Sequence, residues 1–207
     1  MSALVSDLGI AIAAFVATDI DDLFLLAAFF ADTRLHRLSI VIGQYLGIGA
    51  LFLASVLAAL FALTIPVGWI ALLGLVPLLM GLAKLPALSA GAVDAEGDGE
   101  ARRIQEQEHA AERRLGLQAV AVASVTIANG GDNLAVYVPL FATAFDAIAT
   151  YALTFAVMTG VWCALGYLLV NNNILGSSIR RHGRVILPVV LIALGIYILS
   201  GAVVLLR

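Results

Sequence analysis

The sequence predicts an all-α integral membrane protein with six transmembrane helices, arranged as two inverted three-helix repeats. Three observations lead to this fold class: the composition, the number of long apolar runs and an internal repeat. Of the 207 residues, 62% are hydrophobic and only 12% are charged, whereas soluble domains are nearer to half apolar and a quarter charged. A globule of this size has too much surface to cover with so few charges. The composition therefore excludes a soluble protein.

Charge and cysteine content exclude two further classes. The chain has 11 Lys and Arg against 14 Asp and Glu, so we expect no nucleic-acid partner. The single cysteine, Cys163, can form neither an internal disulfide nor a cysteine-rich metal site.

Six apolar runs come close to or exceed the roughly 20 residues that a helix needs to cross a bilayer. They cover residues 8–31, 38–65, 67–88, 115–145, 148–170 and 185–206. The first run has acidic residues at its middle and no basic start, so we interpret it as mature structure and not as a signal peptide. Gly130, Gly131 and Pro139 interrupt the fourth run. A short segment at 64–66 separates the second and third runs and predicts a tight hairpin.

The basic residues predict the orientation of the chain. Nine of the eleven lie in the three connections that follow the first, third and fifth runs, Lys84 lies near the end of the third run on the same side, and only Arg207 lies on the other side. Because Lys and Arg accumulate on the cytoplasmic side, we expect both termini to lie outside the cytoplasm. The organisation is then a first repeat at 1–88, a cytoplasmic loop at 89–114 and a second repeat at 115–207. Within the loop, 101–114 is spaced as a short amphiphilic helix, and a solvated connector is its expected role.

The internal repeat relates the first and fourth runs. Residues 17–31 and 128–142, aligned at an offset of 111 positions, share five of fifteen residues, and the offset places Asp21 on Asp132 and Asp22 on Asn133. Each unit has three helices, so the second must be inverted in the membrane. Inverted repeats with a broken helix at the midplane are typical of transporters.

Four carboxylates lie near the middle of these apolar runs: Asp19, Asp21, Asp22 and Asp132. A charged group at that depth costs at least roughly 2.5–3.5 kcal/mol. No Lys, Arg or His lies deep in any of the six runs. The acids must therefore be protonated, hydrated or paired with a cation from solution. This pattern indicates a cation site or a proton site.

The spacing of the polar residues predicts a cluster in each half. Asp19 and Asp22, three positions apart, would share a helix face near Thr18, and Asn129 and Asn133 flank Asp132. Gly130 and Gly131 would let the backbone unwind and offer carbonyl oxygens. Ligands of this kind suit hard or borderline divalent cations.

Other polar residues have less specific interpretations. Gln44 and Tyr45 are either partners of the acids or interface anchors. Tyrosines 137 and 151 fit an interfacial belt or core packing. The hydroxyl residues at 55, 124, 154 and 159 are expected to bond their own helix backbone, and the glycines of the second and third runs are expected to allow close helix contact.

Residues 17–23, 43–47, 125–134 and 137–141 resemble the cadmium-resistance transporter family, within the LysE superfamily of small six-helix exporters. The resemblance covers nearly the whole chain, and the motif in the fourth run is its most specific part. It implies multi-pass insertion in a bacterial cell membrane and export of Cd²⁺ or a related divalent metal, with Zn²⁺ and Mn²⁺ left open. By motif it implies a metal site at Thr18, Asp19, Asp21, Asp22, Asn129, Asp132 and Asn133.

No G-x-x-x-x-G-K-[ST] motif occurs in the sequence, so we expect a secondary transporter driven by proton exchange, with no cofactor and no enzymatic activity. Its partners would be membrane lipid and the metal, and a homodimer is left open. Three alternatives remain: an exporter of an amino acid or other organic solute, a passive channel, and an intramembrane aspartyl protease. The last is suggested by 129–132, which is close to the G-x-G-D pattern but lacks its first glycine.

Overall fold

The computed structural model describes residues 2–62, 64, 72–84, 115–171 and 189–200, and the regular structure within these ranges is entirely helical. The predicted all-α class is therefore confirmed. The α-helices of this part are α1 Ser2–Thr18, α2 Ile20–Ala31, α3 Arg37–Ala62, α4 Leu75–Lys84, α5 Leu115–Asn129, α6 Gly131–Thr143, α7 Ile148–Asn171 and α8 Val189–Ser200. Short 3₁₀ turns at Leu72–Gly74 and Phe145–Ala147 precede α4 and α7.

Two helices in the described ranges are long and apolar enough to cross a membrane, namely α3 and the Phe145–Val170 segment that contains most of α7. Both match predicted spans to within a few residues. The apolar helices α1, α5 and α8 are shorter. The hairpin residues 65 and 66, the loop 89–114 and its predicted helix at 101–114 lie outside the described residues.

The first predicted span is two helices and not one, which corrects the prediction of a single run over 8–31. The chain leaves the helix at Asp19, where ψ is 13°, against about −42° in a regular α-helix. The fourth span breaks at Gly130, as predicted, with ψ at 23°. Pro139 lies inside α6 without ending it. The two breaks are separated by the same 111 positions as the sequence repeat.

Each broken helix packs against the long helix of the other half of the chain. The helix α3 contacts α5 and α6, and α7 contacts α1 and α2. Glycines let α3 approach α5 closely, as predicted: a Cβ at Gly43 would lie 2.6 Å from the Ala119 carbonyl oxygen, and one at Gly47 would lie 2.6 Å from the Thr126 Cβ. The two breaks are thereby brought together in the interior.

Candidate functional site

The carboxylate of Asp22 joins three helices in the interior. Asp22 lies in the first turn of α2 and is only 4% exposed. Its Oδ2 accepts a hydrogen bond from Gln44 Nε2 on α3 at 2.9 Å, and its Oδ1 accepts one from Asn129 Nδ2 at the end of α5, also at 2.9 Å. The Thr126 hydroxyl donates to Gln44 Oε1 at 2.8 Å and so fixes which end of that amide faces the acid. Of its two predicted roles, Gln44 takes that of a partner of the acids.

The side-chain amide of Asn129 lies between two carboxylates. Its Nδ2 donates to Asp22 Oδ1 at 2.9 Å and to Asp21 Oδ2 at 3.1 Å. Asp21 and Asn129 are only partly buried, in contrast to Asp22. Asp21 and Asn129 are thus the more exposed members of this cluster.

The equivalent break at Gly130 repeats part of this local geometry. Asp132 lies in the first turn of α6, as Asp21 lies in the first turn of α2. The Oδ1 of Asp21 accepts the backbone N–H of Asp22 at 3.0 Å, and the Oδ1 of Asp132 accepts that of Asn133 at the same distance. Asp132 is partly buried and adjoins Asn133. The first turns of the two helices thus place Asp21, Asp22 and Asp132 next to the two breaks.

Asp19 has a separate set of partners. Its Oδ1 accepts a hydrogen bond from Asn133 Nδ2 at 2.9 Å, and its Oδ2 accepts one from the Tyr137 hydroxyl at 2.6 Å. The Thr18 hydroxyl donates to the same Oδ2 at 3.1 Å, and the Trp162 indole N–H donates to the Asp19 backbone carbonyl. The side chains of Asp19 and Tyr137 are fully buried.

The seven predicted site residues therefore form two adjacent groups. One contains Asp21, Asp22 and Asn129, and the other contains Thr18, Asp19 and Asn133, while Asp132 accepts the backbone N–H of Asn133. The expectation that Asp19 and Asp22 share a helix face is wrong, because the break at Asp19 interrupts the helical periodicity on which it depended. Asp19 is bonded by residues of α6 and α7, whereas the Asp22 side chain is bonded by residues of α3 and α5.

Two functional residues were missed by the sequence reasoning. Tyr137 was interpreted as a belt or packing residue, and Trp162 was not considered. Tyr137 does pack in the core, but its hydroxyl also bonds Asp19. The available signal was its position one turn after Asn133, which places both side chains on one face of α6. By contrast, the hydroxyl prediction is confirmed: each hydroxyl at 55, 124, 154 and 159 donates to the carbonyl four residues earlier.

The side-chain donors to Asp19 and Asp22 named above are neutral amides and hydroxyls. In the described ranges, the salt bridge formed is the exposed Arg34–Asp32 pair, at 2.8 Å. Within the same part of the chain, no group of three or more His, Cys, Asp or Glu side chains is arranged to hold a metal ion. The acids are therefore connected through amide donors and are not gathered around one point.

One match to a known protein family covers almost the entire chain. A family model described as "Cadmium resistance transporter" matches residues 15–205, which include both breaks and both groups of acids. No curated protein and no solved structure matches the chain. Since the match extends over far more than half of the sequence, the chain belongs to the cadmium resistance transporter family.

Proposed function

We propose that the protein exports divalent metal cations from a bacterial cytoplasm, with Cd²⁺ as the first candidate and Zn²⁺ and Mn²⁺ as the others. Membership of the cadmium resistance transporter family supports transport and gives no indication of an enzyme. One observation carries the assignment of the site: the Asn129 amide nitrogen lies within 3.1 Å of the carboxylates of both Asp21 and Asp22.

The amide hydrogens of Asn129 mark the point where positive charge is most favourable. A divalent cation at this point would neutralise Asp21 and Asp22 together, with Asp132 as a third source of negative charge. Rotation of the Asn129 side chain by half a turn would replace its N–H donors by an oxygen ligand. Such an all-oxygen site suits an ion of the size of Ca²⁺, which Cd²⁺ resembles.

The ends of two short helices support ionised acids at this depth. Asp21 and Asp22 lie in the first turn of α2, and Asp132 lies in the first turn of α6. Negative charge is stabilised there by the helix dipole and by free N–H groups. Broken helices that meet in the interior are typical of secondary transporters. We therefore propose alternating access between two inverted three-helix repeats, with six spans and both termini outside.

Charge balance favours proton exchange as the driving reaction. Release of a divalent ion would leave the buried Asp22 carboxylate with the neutral donors Gln44 and Asn129, and uncompensated charge in an apolar interior is unfavourable. Protons entering from the outer solution would restore neutrality for the return step. In liposomes with an acidic outer bath, metal flux would then depend on the pH gradient, whereas flux that ignores the gradient would contradict exchange.

The contacts give less support to an organic solute. The carboxylate of an amino acid would need donors such as the first N–H groups of a helix. At α2 and α6 the N–H groups of Asp22 and Asn133 are already bonded by Asp21 and Asp132. In a protein with broken helices, an anionic group would bind at these two N–H groups. Because Asp21 and Asp132 already accept their hydrogen bonds, metal export is the better supported assignment.

The experiment expresses the protein in a metal-sensitive bacterium and challenges the cells with Cd²⁺, Zn²⁺, Mn²⁺ and Ca²⁺ in turn. Wild-type protein is expected to raise tolerance to at least one of the first three ions, and Asp21→Asn and Asp132→Asn are expected to abolish the gain. Asp146→Asn, in an exposed acid outside the site, is the matched control. Unchanged tolerance to every ion, with the protein verified in the membrane, would contradict the proposal.

A further inference from the structure

We propose that Asp19 is a positioning residue and not a metal ligand: with Thr18, Asn133, Tyr137 and Trp162 it forms a joint that holds the two halves of the transporter together. We call this set the Asp19 junction. The inference rests on the proposed function of metal export and refines it, because the resemblance seen in the sequence implies that Asp19 is one of the metal ligands.

The first argument is the saturation of the Asp19 carboxylate. Its Oδ1 accepts from Asn133, and its Oδ2 accepts from Tyr137 and lies 3.1 Å from the Thr18 hydroxyl. A buried hydrogen bond that is broken leaves its partners unsatisfied. A metal ion at Asp19 would have to displace donors on both carboxylate oxygens, whereas an ion between Asp21 Oδ2 and Asp22 Oδ1 would displace the Asn129 amide and leave the Gln44 bond to Asp22 Oδ2 in place.

The second argument is access. Asp19 is 0% exposed. Asp22 is nearly as buried, at 4%, but the Asn129 amide joins it to Asp21, which is partly exposed. Tyr137 and Trp162, which bond Asp19, belong to a cluster of aromatic rings: Phe15 lies 5.3 Å from both Phe155 and Trp162, and Tyr137 lies 4.7 Å from Phe155, between ring centroids.

The third argument is the position of the junction between helices. Asp19 itself connects α1 to α2, Asn133 and Tyr137 belong to α6, and Trp162 belongs to α7. The junction thus ties the break in the first half of the chain to two helices of the second half. Because Asp21 and Asp22 follow Asp19 directly, the junction fixes where the first turn of α2 presents its acids. Loosening it should slow the conformational cycle more than it weakens metal binding.

The decisive variant is Tyr137→Phe, which removes the hydroxyl from Asp19 and keeps the ring. Tyr151→Phe is its matched control: Tyr151 is fully buried and stacked on Phe141, and its hydroxyl has no hydrogen-bond partner among the described residues. Cd²⁺ affinity would be measured by titration calorimetry on purified protein, and Cd²⁺ flux in proteoliposomes. We expect Tyr137→Phe to bind Cd²⁺ within about twofold of wild type while its maximal flux falls about tenfold, as the loss of one buried hydrogen bond implies.

A second pair of variants tests the acid itself. Asp19→Asn is expected to keep Cd²⁺ affinity and to lose maximal flux, whereas Asp22→Asn is expected to lose affinity. Three results would overturn the inference: loss of affinity in Asp19→Asn equal to that in Asp22→Asn, flux in Tyr137→Phe equal to that in Tyr151→Phe, or a parallel loss of affinity and flux in Tyr137→Phe. Failure of the proposed function itself has a different signature, since wild-type protein would then neither bind nor transport Cd²⁺, Zn²⁺ or Mn²⁺.

Discussion

The two helix breaks lie 111 positions apart, the offset of the sequence repeat, but have opposite surroundings. Next to the Gly130 break, Thr126 and Gln44 are joined by a 2.8 Å hydrogen bond. At the positions 111 residues away from these two, next to the Asp19 break, Phe15 and Phe155 form a ring contact with centroids 5.3 Å apart. A polar pair in one location is thus an aromatic pair in the other.

The residue that covers each break differs in the same way. A Cβ at Gly130 would overlap the side chain of Leu51, and the equivalent of Leu51 in the other half is Trp162, which donates to the Asp19 carbonyl. The comparison shows that similar helix breaks can have different surroundings. Near Gly130, the Thr126–Gln44 pair orients an amide toward Asp22, whereas near Asp19 the aromatic residues Tyr137 and Trp162 bond Asp19 from the second half of the chain.

The largest effect is expected from Asp22→Asn, which changes the carboxylate that Gln44 and Asn129 bond. The variant keeps the size of the side chain and removes its charge, so Cd²⁺ flux should fall at least about 100-fold, above the range typical of residues outside the ligand shell. Flux into proteoliposomes measures this, with Asp146→Asn as the control. Retention of half the wild-type flux would remove Asp22 from the site.

An intermediate effect is expected where α3 meets α5, the contact that supports the polar surroundings. Gly47→Ala would place a methyl group 2.6 Å from the Thr126 Cβ, and such overpacking lowers the free energy of unfolding by about 1–3 kcal/mol. In the same helix Gly49 has nothing within 4 Å of its would-be Cβ. Gly49→Ala should therefore be neutral or stabilising by up to about 1 kcal/mol.

Denaturant unfolding in detergent compares these two variants directly. Equal stabilities of Gly47→Ala and Gly49→Ala would show that the close approach of α3 and α5 does not depend on Gly47.

The smallest effect is expected from Thr126→Val, which removes the hydroxyl that donates to Gln44 and keeps the shape of the side chain. The Gln44 Oε1 would lose its donor inside the protein, which should lower the free energy of unfolding by about 1 kcal/mol or slightly more. Ser124→Ala, at an exposed hydroxyl that bonds only its own helix, should stay within about 0.5 kcal/mol of wild type. Equal free energies of unfolding for Thr126→Val and Ser124→Ala would mean that the hydrogen bond from Thr126 to Gln44 does not stabilise the protein.

Much of the fold could be predicted from the sequence because apolar length and glycine position determine it. The second and fifth spans match α3 and α7 closely, and the break at Gly130 follows from a glycine pair that weakens a helix locally. The break at Asp19 could not be predicted in the same way. Its sequence contains neither Gly nor Pro, and the backbone turns there because distant groups on α6 and α7 bond Asp19.

The candidate site was predictable as a set of residues but not as an arrangement. Acidic residues within apolar runs that contain no deep Lys, Arg or His identified Asp19, Asp21, Asp22 and Asp132. Their division into two groups depends on the direction of α2 after the break, which no local pattern contains. The role of Tyr137 was hidden because a tyrosine in an apolar helix packs equally well with or without a partner for its hydroxyl, as Tyr151 illustrates.

The amide of Asn129 between Asp21 and Asp22 has a consequence for how tightly the proposed cargo is held. A group that already satisfies both acids competes with every arriving ion, so each metal ion is captured only at the expense of two existing bonds. This built-in competitor sets a ceiling on affinity. For the proposed exporter, such a ceiling would favour release of the ion on the far side of the membrane.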